Sequence, residues 1–485
     1  MSESPEIYDL LVVGAGPSGL AYGLGAQAAA QGGGSALRLG FLEAADRPGG
    51  WVHTRREGPY CLEAGPYGYL DKHPELRQIL RLLGLGERAV YPAPAAKNRY
   101  VLARGRLRRM PTGPLSFLFS RILRPRAKVR LLREPWAKPH PGGDETVADF
   151  AARRLGPEAA EALVVPMFTG IYAGDPDRAS LASCFPRMAE LERDHGGLFR
   201  ALWHMRRQVR RSGQGVGAPR GELTSFPGGL STLIDALGDH FGPRLRLSTP
   251  VVAVERAEAG AGTGAGAEAE AEDAPGYRVV TGQGETLRTA RLALAVPARH
   301  LVEMVRPLDA DLAALVGRIS YGGVSVVHTA YRREDARRVP EGFGFLVPRQ
   351  AGRRLLGSVF VSTIYPDQAP ADELLLRNVL GGVLQPDLVE ADSDRLVEIV
   401  RTEHRELLGL GAEPRFTEVV RYPGSLPQYE VGHGELVSRM EERVAGLEGL
   451  YITGNAWRGI GLADCLAKNF AAGQAHFAPD HEGHG

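Results

Sequence analysis

The sequence has few cysteines, and their positions predict no pairing. Cys61, Cys184 and Cys465 are odd in number and far apart along 485 residues. They form neither a CxxC pair nor a metal-ligand spacing, which suits a reducing compartment and argues against a disulfide framework. The thirteen histidines show no HExxH arrangement, so the sequence predicts no metal ion.

The sequence also lacks an excess of charge and a long apolar run. Lys and Arg total 58 against 57 for Asp and Glu, a balance that argues against nucleic-acid binding. No stretch approaches the roughly 18 consecutive apolar residues that a membrane-spanning helix needs. Residues 1–6 leave no room for a signal peptide before the first apolar strand. A chain of this length exceeds one core, so we expect two or more domains.

Glycine is abundant, and one glycine cluster follows the first apolar strand. The strand predicted over Ile7–Val13 leads into a G-x-G-x-x-G turn that opens an Ala/Leu-rich helix. Such a turn binds a pyrophosphate at the helix N-terminus. The next predicted strand, 37–42, is followed by Glu43, where an acid can meet ribose hydroxyls. This acid favours a nucleotide site over an ordinary strand–turn–helix unit, and the turn consists of Gly14, Ala15, Gly16, Pro17, Ser18 and Gly19.

Further glycine turns predict a longer cofactor than a nicotinamide dinucleotide. Arg47 and the adjacent Gly-Gly turn can offer a cation and backbone donors to the same pyrophosphate. Another turn at 65–68 fits against an isoalloxazine, and a final pair arrives from the far end of the chain after the strand 450–453. Turns from both ends of the chain therefore predict FAD. The expected contacts are Arg47, Gly50, Trp51, Gly65, Pro66, Tyr67, Gly68, Gly454, Asn455, Ile460, Gly461 and Leu462.

Residues 99–138 have the composition of a membrane interface. Twelve Lys and Arg residues occur there against one acid, Glu134, and they alternate with large apolar residues such as Phe119 and Trp136. This mixture is typical of surfaces that face anionic lipid. We therefore expect peripheral membrane contact, with a solvated basic loop or a patch for an acidic substrate as the alternatives.

Hydrophobic periodicity predicts the remaining elements. Helices are expected over 75–85, 144–211, 225–237, 372–383 and 393–408, and strands over 245–254, 277–280, 292–296, 324–331 and 357–365. The low-complexity stretch 259–275 is expected to be a mobile hairpin tip. We assign 1–95, 212–300 and 441–480 to an FAD-binding domain, 96–211 to a helical membrane-associating and substrate-channel domain, and 301–440 to a substrate-binding domain.

Taken in order, these motifs resemble the oxygen-dependent protoporphyrinogen oxidase family, flavoproteins of haem biosynthesis in the amine-oxidase-like group. The resemblance covers nearly the whole chain. Its motifs are residues 49–51, 62–66, 97–100, 170–175, 183–186, 342–348, 426–429, 454–461 and 464–465.

The resemblance implies an α/β (α+β) fold with three parts. These are a Rossmann-like FAD-binding domain of the p-hydroxybenzoate-hydroxylase type, a β-rich substrate domain and a helical membrane-contacting domain. The resemblance adds Val251 to the flavin contacts. It also implies a sandwich of the substrate macrocycle by apolar side chains and a propionate contact at an arginine. The implied substrate contacts are Arg99, Gly170, Phe343, Leu346 and Val379; without the resemblance, core packing and a lipid-facing cation would explain Phe343, Leu346 and Arg99 better.

The activity implied is oxidation of protoporphyrinogen IX to protoporphyrin IX by O2, with H2O2 as product, in the penultimate step of haem biosynthesis. Non-covalent FAD takes the hydride, so we assign no catalytic side chain. A cytoplasmic location at the inner face of the cell membrane is expected, and a homodimer and product hand-off to a ferrochelatase are considered as partners. One position departs from the family, because relatives often have Arg or Asn where this chain has Tyr67.

Three alternatives stay open. Oxidation of coproporphyrinogen III to coproporphyrin III uses the same chemistry, and clustered arginines suit its extra carboxylates. An amine oxidase or carotenoid desaturase would share the fold, although the C-terminal glycine turn shows neither an aromatic cage nor a cysteine placed for covalent flavin attachment. A flavin-free scaffold that binds tetrapyrrole or membrane would purify without colour.

Overall fold

Two seven-stranded sheets organise the molecule. The computed structural model describes residues 7–212, 222–257, 276–457 and 459–478. The stretch 259–275, which we expected to be a hairpin tip, lies outside the described residues. The strands are β1 (Ile7–Val13), β2 (Leu39–Leu42), β3 (Thr54–Glu57), β4 (Tyr60–Glu63), β5 (Tyr69–Leu70), β6 (Arg99–Ala103), β7 (Arg106–Arg109), β8 (Leu223–Thr224), β9 (Leu245–Arg246), β10 (Val251–Ala257), β11 (Gly276–Thr281), β12 (Thr286–Leu294), β13 (Tyr321–Arg332), β14 (Gly344–Leu346), β15 (Leu355–Phe360), β16 (Glu373–Gly381), β17 (Phe416–Pro427) and β18 (Leu450–Ile452).

Helices cover the first sheet and fill the region between residues 114 and 212. The α-helices are Pro17–Gly32, Pro74–Leu82, Pro114–Phe119, Pro125–Leu132, Val147–Leu155, Pro157–Ala159, Val165–Tyr172, Leu181–Cys184, Pro186–His195, Leu198–Ser212, Ser231–Phe241, Ala298–Val305, Ala310–Val316, Val361–Ile364, Asp387–Glu390, Ser393–Leu408, His433–Ala445 and Leu462–Phe477. Ala160–Val164 is a π-helical stretch. A membrane-spanning helix would have to be longer and more apolar than any helix in the described ranges.

The first sheet places four strand ends at one edge. Its order is β10-β11-β12-β1-β2-β9, with β18 beside β12. Strands β2, β1, β12 and β18 run parallel to one another, and Leu10, Leu11 and Val12 of β1 are fully buried because helices cover both faces. Ligands of open α/β sheets bind outside the carboxyl ends of such strands.

The two ends of the chain meet on this sheet. The helices Pro17–Gly32 and Leu462–Phe477 pack at very short distance, because an added Cβ at Gly25 would lie 2.1 Å from the Phe470 carbonyl oxygen. Tyr22 stacks on Tyr451 with ring centroids 4.4 Å apart. Segments from both ends of the chain therefore meet at the first sheet, while their contacts to one FAD stay a prediction.

The second sheet has the order β17-β13-β16-β15-β14-β6-β7 and corrects one prediction. The stretch 372–383, expected to be helical, forms strand β16 between β13 and β15. Leu374, Leu375 and Leu376 are all buried, so the strand has apolar side chains on both faces. A strand buried on both faces loses its alternation, and its apolar run then resembles that of a helix.

Other elements differ from expectation in detail. Residues 99–109 form β6 and β7 of the second sheet, although we assigned 96–211 to a helical domain. The predicted strand 357–365 ends at Phe360 and continues as the short helix Val361–Ile364, and the predicted strand 245–254 is split into β9 and β10. The helix Ser393–Leu408 is found at the bounds expected. The domain boundaries stay a prediction.

Candidate flavin and substrate site

The first glycine turn has the shape that a pyrophosphate needs. Gly14 has φ of 97°, and Gly19 packs so tightly that an added Cβ would lie 2.1 Å from the Gly14 carbonyl oxygen. An added Cβ at Gly16, by contrast, would meet no atom within 4 Å. Two glycines therefore serve the turn and its packing, while Gly16 leaves open space at the start of the helix Pro17–Gly32, where an anion is favoured.

The Gly-Gly turn lies directly on the first turn. The Gly49 N–H donates to the Ala15 carbonyl at 2.8 Å, and an added Cβ at Gly50 would be 3.7 Å from the Gly16 Cα. The Arg47 guanidinium donates to the carbonyls of Pro48 (3.1 Å) and Gly50 (2.9 Å). The Arg47 side chain thus stabilises the Gly-Gly turn by hydrogen bonds to main-chain carbonyls of that turn.

Glu43 lies at the end of β2 and faces the same turn. Its Oε2 accepts from the Ala15 N–H at 2.7 Å and its Oε1 from the Ala45 N–H at 2.9 Å. Each carboxylate oxygen keeps a lone pair that can accept from a ribose hydroxyl. The Thr249 N–H donates to the Glu43 carbonyl at 2.8 Å, which brings Val251, two residues further on, to this end of the site.

The C-terminal glycine turn closes the site from the other side. Asn455 is held by two contacts, because its side-chain amide donates to the Ser425 carbonyl at 3.3 Å and its own carbonyl accepts from the Tyr429 hydroxyl. Gly461 begins the helix Leu462–Phe477, whose N-terminus has a partial positive charge. Arg458, which lies in this turn, is outside the described residues.

Cys465 is bonded within the C-terminal turn and is not placed as a nucleophile. Its thiol donates to the Gly459 carbonyl at 3.0 Å. Burial raises the pKa of the Cys465 thiol to about 11. The thiol therefore stays protonated at neutral pH.

The turn at 65–68 lies between the flavin-side turns and the second sheet. An added Cβ at Gly65 would lie 1.9 Å from the Trp51 carbonyl oxygen, so this turn packs directly on the Gly-Gly turn. The Tyr67 ring is edge-on to Phe343, with centroids 6.3 Å apart, and tilted against Tyr365 at 5.7 Å. Burial raises the pKa of Tyr67 well above its ordinary value. Tyr67 therefore connects a predicted flavin contact to a predicted substrate contact.

The register of the second sheet brings most of the expected substrate residues onto one face. Cross-strand partners share a face, and two rows of partners run across β6, β14, β15 and β16. In the first row, the residue of β6 is Arg99. In the second row, the residue of β14 is Leu346 and the residue of β16 is Val379. Gly170 faces Leu346, because its added Cβ would be 2.8 Å from Leu346 Cδ2. The Arg99 guanidinium lies 4.9 Å from the centroid of the Phe343 ring.

This face of the second sheet packs against the flavin-side turns. Trp51 and Val379 belong to one apolar cluster, together with Ala173 and Tyr422. The rings of Trp51 and Tyr422 meet edge-on, with centroids 5.3 Å apart. Trp51, an expected flavin contact, and Val379, an expected substrate contact, thus pack against one apolar cluster between the two sheets.

Arg377 is a charged residue of this site that the sequence analysis missed. Its Nε donates to the Glu63 carbonyl at 3.2 Å and its Nη2 to the Gly65 carbonyl at 2.8 Å. It lies two residues before Val379 on β16, and so on the same face. The sequence signal for this residue was a single cation inside an apolar run. Because we interpreted 372–383 as a helix, we could not predict that the Arg377 side chain lies on the same face as Val379.

Asp464, an acid in the first turn of the helix Leu462–Phe477, is committed to cations. Its carboxylate lies 2.7 Å from His73 Nε2 and 2.9 Å from Lys72 Nζ. Burial raises the pKa of Asp464, but these two neighbours outweigh it and lower the pKa below the ordinary value. Asp464 is therefore an ionised partner of these two cations.

Comparisons with known proteins agree with this architecture. A family model described as flavin containing amine oxidoreductase matches residues 30–467. The chloroplastic protoporphyrinogen oxidase of Nicotiana tabacum is 30% identical, over 94% of this chain and 83% of its own length. The coproporphyrinogen III oxidase of Bacillus subtilis (strain 168) is 27% identical, over 96% of each chain. The crystal structure of a protein from Exiguobacterium sp. 255-15, assigned as a protoporphyrinogen oxidase, matches with a TM-score of 0.79 and 26% identity over 98% of this chain and 99% of that one.

Fold and site together define a flavoprotein oxidoreductase with an α/β architecture and FAD as its cofactor. The chain belongs to the protoporphyrinogen oxidase family of flavin-containing amine oxidoreductases. The recognition made from the sequence motifs is therefore confirmed.

Proposed function

We propose that the protein oxidises protoporphyrinogen IX to protoporphyrin IX, with O2 as electron acceptor and H2O2 as product. The observation that carries the proposal is the meeting of the flavin-side turns with the second-sheet region: Trp51 and Val379 pack against one apolar cluster, and the Tyr67 ring is edge-on to Phe343. The names of relatives at 30% and 26% identity support a porphyrinogen as the substrate.

When bound, FAD supplies the hydride acceptor and is regenerated by O2. The residues that would hold it are those at the edge of the first sheet. Gly16 and Gly50 leave room for backbone N–H groups to reach a pyrophosphate, and Glu43 offers carboxylate oxygens to a ribose. We propose that the cofactor is held without a covalent bond, since the Cys465 thiol is occupied by the Gly459 carbonyl.

The substrate side of the site suits a large apolar macrocycle with carboxylates at its rim. Leu346 lies against Gly170, where a larger side chain would fill the space, and Phe343 offers an aromatic face. Apolar contact of this kind is worth about 25 cal/mol per Å² removed from water. Arg99 is exposed at the end of the same face and would bind a propionate by charge-assisted hydrogen bonds. The chain's role is then to orient one methylene bridge and exclude water.

Coproporphyrinogen III is the second candidate substrate. Arg377 adds a cation to the one that Arg99 provides, which favours a substrate with more than one carboxylate. A relative at 27% identity carries the name coproporphyrinogen III oxidase. Both candidates require the same chemistry at a meso carbon.

Turnover of the two porphyrinogens by the flavin-loaded protein tests the proposal. Freshly reduced protoporphyrinogen IX and coproporphyrinogen III are compared in air, with porphyrin fluorescence and H2O2 recorded against an enzyme-free control. We expect faster formation of protoporphyrin. Faster formation of coproporphyrin would replace the substrate and keep the chemistry. Turnover of neither by a protein with bound FAD would refute the substrate class.

A pair of matched glycine variants tests the flavin assignment separately. Gly16→Ala and Gly32→Ala lie at opposite ends of one helix, and neither added Cβ meets an atom within 4 Å. Both variants are expected to fold like the wild type. We expect Gly16→Ala alone to release FAD more readily, measured as the dissociation constant by flavin fluorescence. Equal FAD binding by the two variants would remove Gly16 from the cofactor contacts.

We also propose peripheral membrane contact through the basic segment 99–138. Phe119 and Trp136 are 78% and 76% exposed, and Arg130, Arg133 and Trp136 line one surface cleft. Apolar side chains so exposed, beside cations, suit the interface of an anionic bilayer. A location at the inner face of the cell membrane follows from this proposal, whereas a homodimer and hand-off to a ferrochelatase stay predictions.

Charge reversal tests the membrane proposal. Arg121→Glu with Arg124→Glu reverses two exposed cations of the segment, and Arg405→Glu with Arg439→Glu reverses two exposed cations elsewhere. Each cation near an anionic surface contributes about 1 kcal/mol, so the first pair should weaken binding to phosphatidylglycerol vesicles by roughly tenfold or more. Equal binding by both double variants, measured by co-sedimentation, would contradict the assigned surface.

A further inference from the structure

Arg377 is a cation deep between the two sheets whose bonds leave its charge uncompensated. In the described part of the chain its hydrogen bonds go to the carbonyls of Glu63 and Gly65, and none goes to a carboxylate. Burial lowers the pKa of Arg377, yet a guanidinium stays protonated in proteins. A buried charge without an opposite charge is costly, so the position calls for an anion.

The nearby carboxylate of Glu63 compensates the charge of Arg377 only in part. The Glu63 carboxylate is turned away, since it accepts from the Leu230 N–H at 2.8 Å and from the Thr54 hydroxyl at 3.0 Å. Burial raises the pKa of Glu63 to about 7, so this acid is only partly ionised at neutral pH. His328, the cross-strand partner of Arg377 on β13, is neutral because burial lowers its pKa to about 3.

Arg377 is half-buried rather than fully covered, although it lies in the middle of the sheet. The face of β16 on which it lies also presents Val379, which packs against the same apolar cluster as Trp51. Its bond to the Gly65 carbonyl places the guanidinium on the side of the sheet that meets the flavin-side turns.

Strand pairing relates Arg377 to Arg99. Arg99 pairs with Gly344, Gly344 with Val359, and Val359 with Arg377. The two arginines thus occupy one row of one face, three strands apart. With strands ~4.8 Å apart, their Cα atoms are separated by ~14 Å. The neighbouring row, which contains Leu346 and Val379, gives an apolar surface beside both cations.

We propose that Arg377 is a second carboxylate-binding residue of the substrate site, so that the macrocycle lies on the apolar row and one carboxylate reaches each arginine. The inference rests on the proposed porphyrinogen function and adds a residue that determines specificity. A charge-assisted hydrogen bond contributes more than a neutral one and fixes orientation. Two such bonds on one row set which edge of the macrocycle faces the flavin-side turns.

The test uses porphyrins with and without free carboxylates. Protoporphyrin IX and its dimethyl ester have the same macrocycle, and their binding to the FAD-loaded protein is followed by fluorescence quenching. Arg377→Gln removes the charge and keeps a donor at the position of Nε, which serves the Glu63 carbonyl, and Arg377→Lys keeps the charge. Arg421→Gln is the matched control, because Arg421 is on the same sheet and also donates to a main-chain carbonyl, that of Ala391 at 2.7 Å.

We expect Arg377→Gln to weaken the diacid by roughly tenfold to a hundredfold and to leave the diester unchanged. Arg377→Lys should retain part of the preference for the diacid, and Arg421→Gln all of it. Equal losses for diacid and diester, or no loss, would overturn the proposal. A shift in flavin midpoint potential without a diacid-specific loss would assign the charge to the cofactor and also overturn it. A wild-type protein that holds FAD but binds neither porphyrin would instead refute the proposed function.

Discussion

Two arginines inside this molecule, Arg154 fully buried and Arg377 half-buried, have opposite surroundings. Arg154, in the helical region, is 0% exposed and contacts the carboxylates of Glu134 and Glu192. Arg377, between the sheets, donates to main-chain carbonyls alone within the described ranges. A cation that is paired with carboxylates of the protein is compensated without a ligand. A cation with no such partner can be compensated by the carboxylate of a ligand. The difference separates a structural cation from a functional one.

The ion pair of Arg154 with Glu134 anchors the basic segment 99–138 to the helical region. Glu134 is the single acid among residues 99–138, and it is turned fully inward. Its two oxygens accept from the N–H groups of Leu198 and Phe199, at 2.8 and 3.0 Å, and so cap the helix Leu198–Ser212. Arg153 joins the network through Glu192, with both contacts at 2.8 Å. The network therefore ties the basic segment 99–138 to the start of the helix Leu198–Ser212.

Removal of the paired cation should have the largest effect. Arg154→Met leaves Glu134 and Glu192 buried without their common partner, so we expect a loss of about 3–5 kcal/mol in the free energy of unfolding. Denaturant titration followed by circular dichroism measures it. Arg178→Met is the control, because its pair with Glu430 is exposed and should be worth less than about 1 kcal/mol. Equal losses in the two variants would show that the buried network is not structural.

Low pH should reveal the stability that the same network contributes to the wild-type protein. Burial raises the pKa of Glu192, but hydrogen bonds from Arg153 and Arg154 outweigh it and bring the pKa to about 2. A carboxyl with a lowered folded-state pKa gives stability that is present above its unfolded pKa of about 4.3 and is lost as the pH falls toward 2. We expect Glu192→Gln to reduce the dependence of the melting temperature on pH in that window. An unchanged slope would contradict the assignment.

The acid beside Arg377 should respond in the opposite direction. Burial raises the pKa of Glu63 to about 7, although hydrogen bonds from Leu230 and Thr54 oppose the shift. Its folded-state pKa exceeds its unfolded one, so stability decreases as the pH rises from about 4.3 to about 7. Glu63→Gln should remove this decrease and raise the melting temperature above pH 7. A variant whose melting temperature keeps the wild-type slope between these pH values would show that Glu63 ionises freely in the fold.

The contrast between these regions also shows what the sequence can predict. The glycine turns are local features, since strand, turn, helix and the acid Glu43 follow one another in the chain. Each glycine of the motif is required for a steric reason, so the motif can be recognised in the sequence. Their predicted roles can be compared directly with geometry, as at Gly14, Gly16 and Gly19. The family and its cofactor could therefore be recognised from motifs alone.

The substrate face could not be predicted in the same way, because it depends on pairing between distant segments. Arg99 and Gly344 are partners in a parallel pair, and nothing near either residue specifies that register. Strand β16 is buried on both faces, so its apolar run favoured a helix, in which Arg377 and Val379 would not share a face. The family resemblance supplied Val379, but only the sheet register shows Arg377 beside it.

The smallest effect on stability should come from the unpaired cation. Arg377→Gln removes a charge that is hydrogen-bonded to no carboxylate, and its amide can still donate to the Glu63 carbonyl from the position of Nε. The recovered desolvation cost offsets the weakened hydrogen bonds, so we expect a change within about 1 kcal/mol in the free energy of unfolding. Denaturant titration beside Arg154→Met measures the contrast directly. A loss as large as that of Arg154→Met would make Arg377 a structural cation too, because a charge that stabilises the empty protein this strongly needs no ligand to complete it.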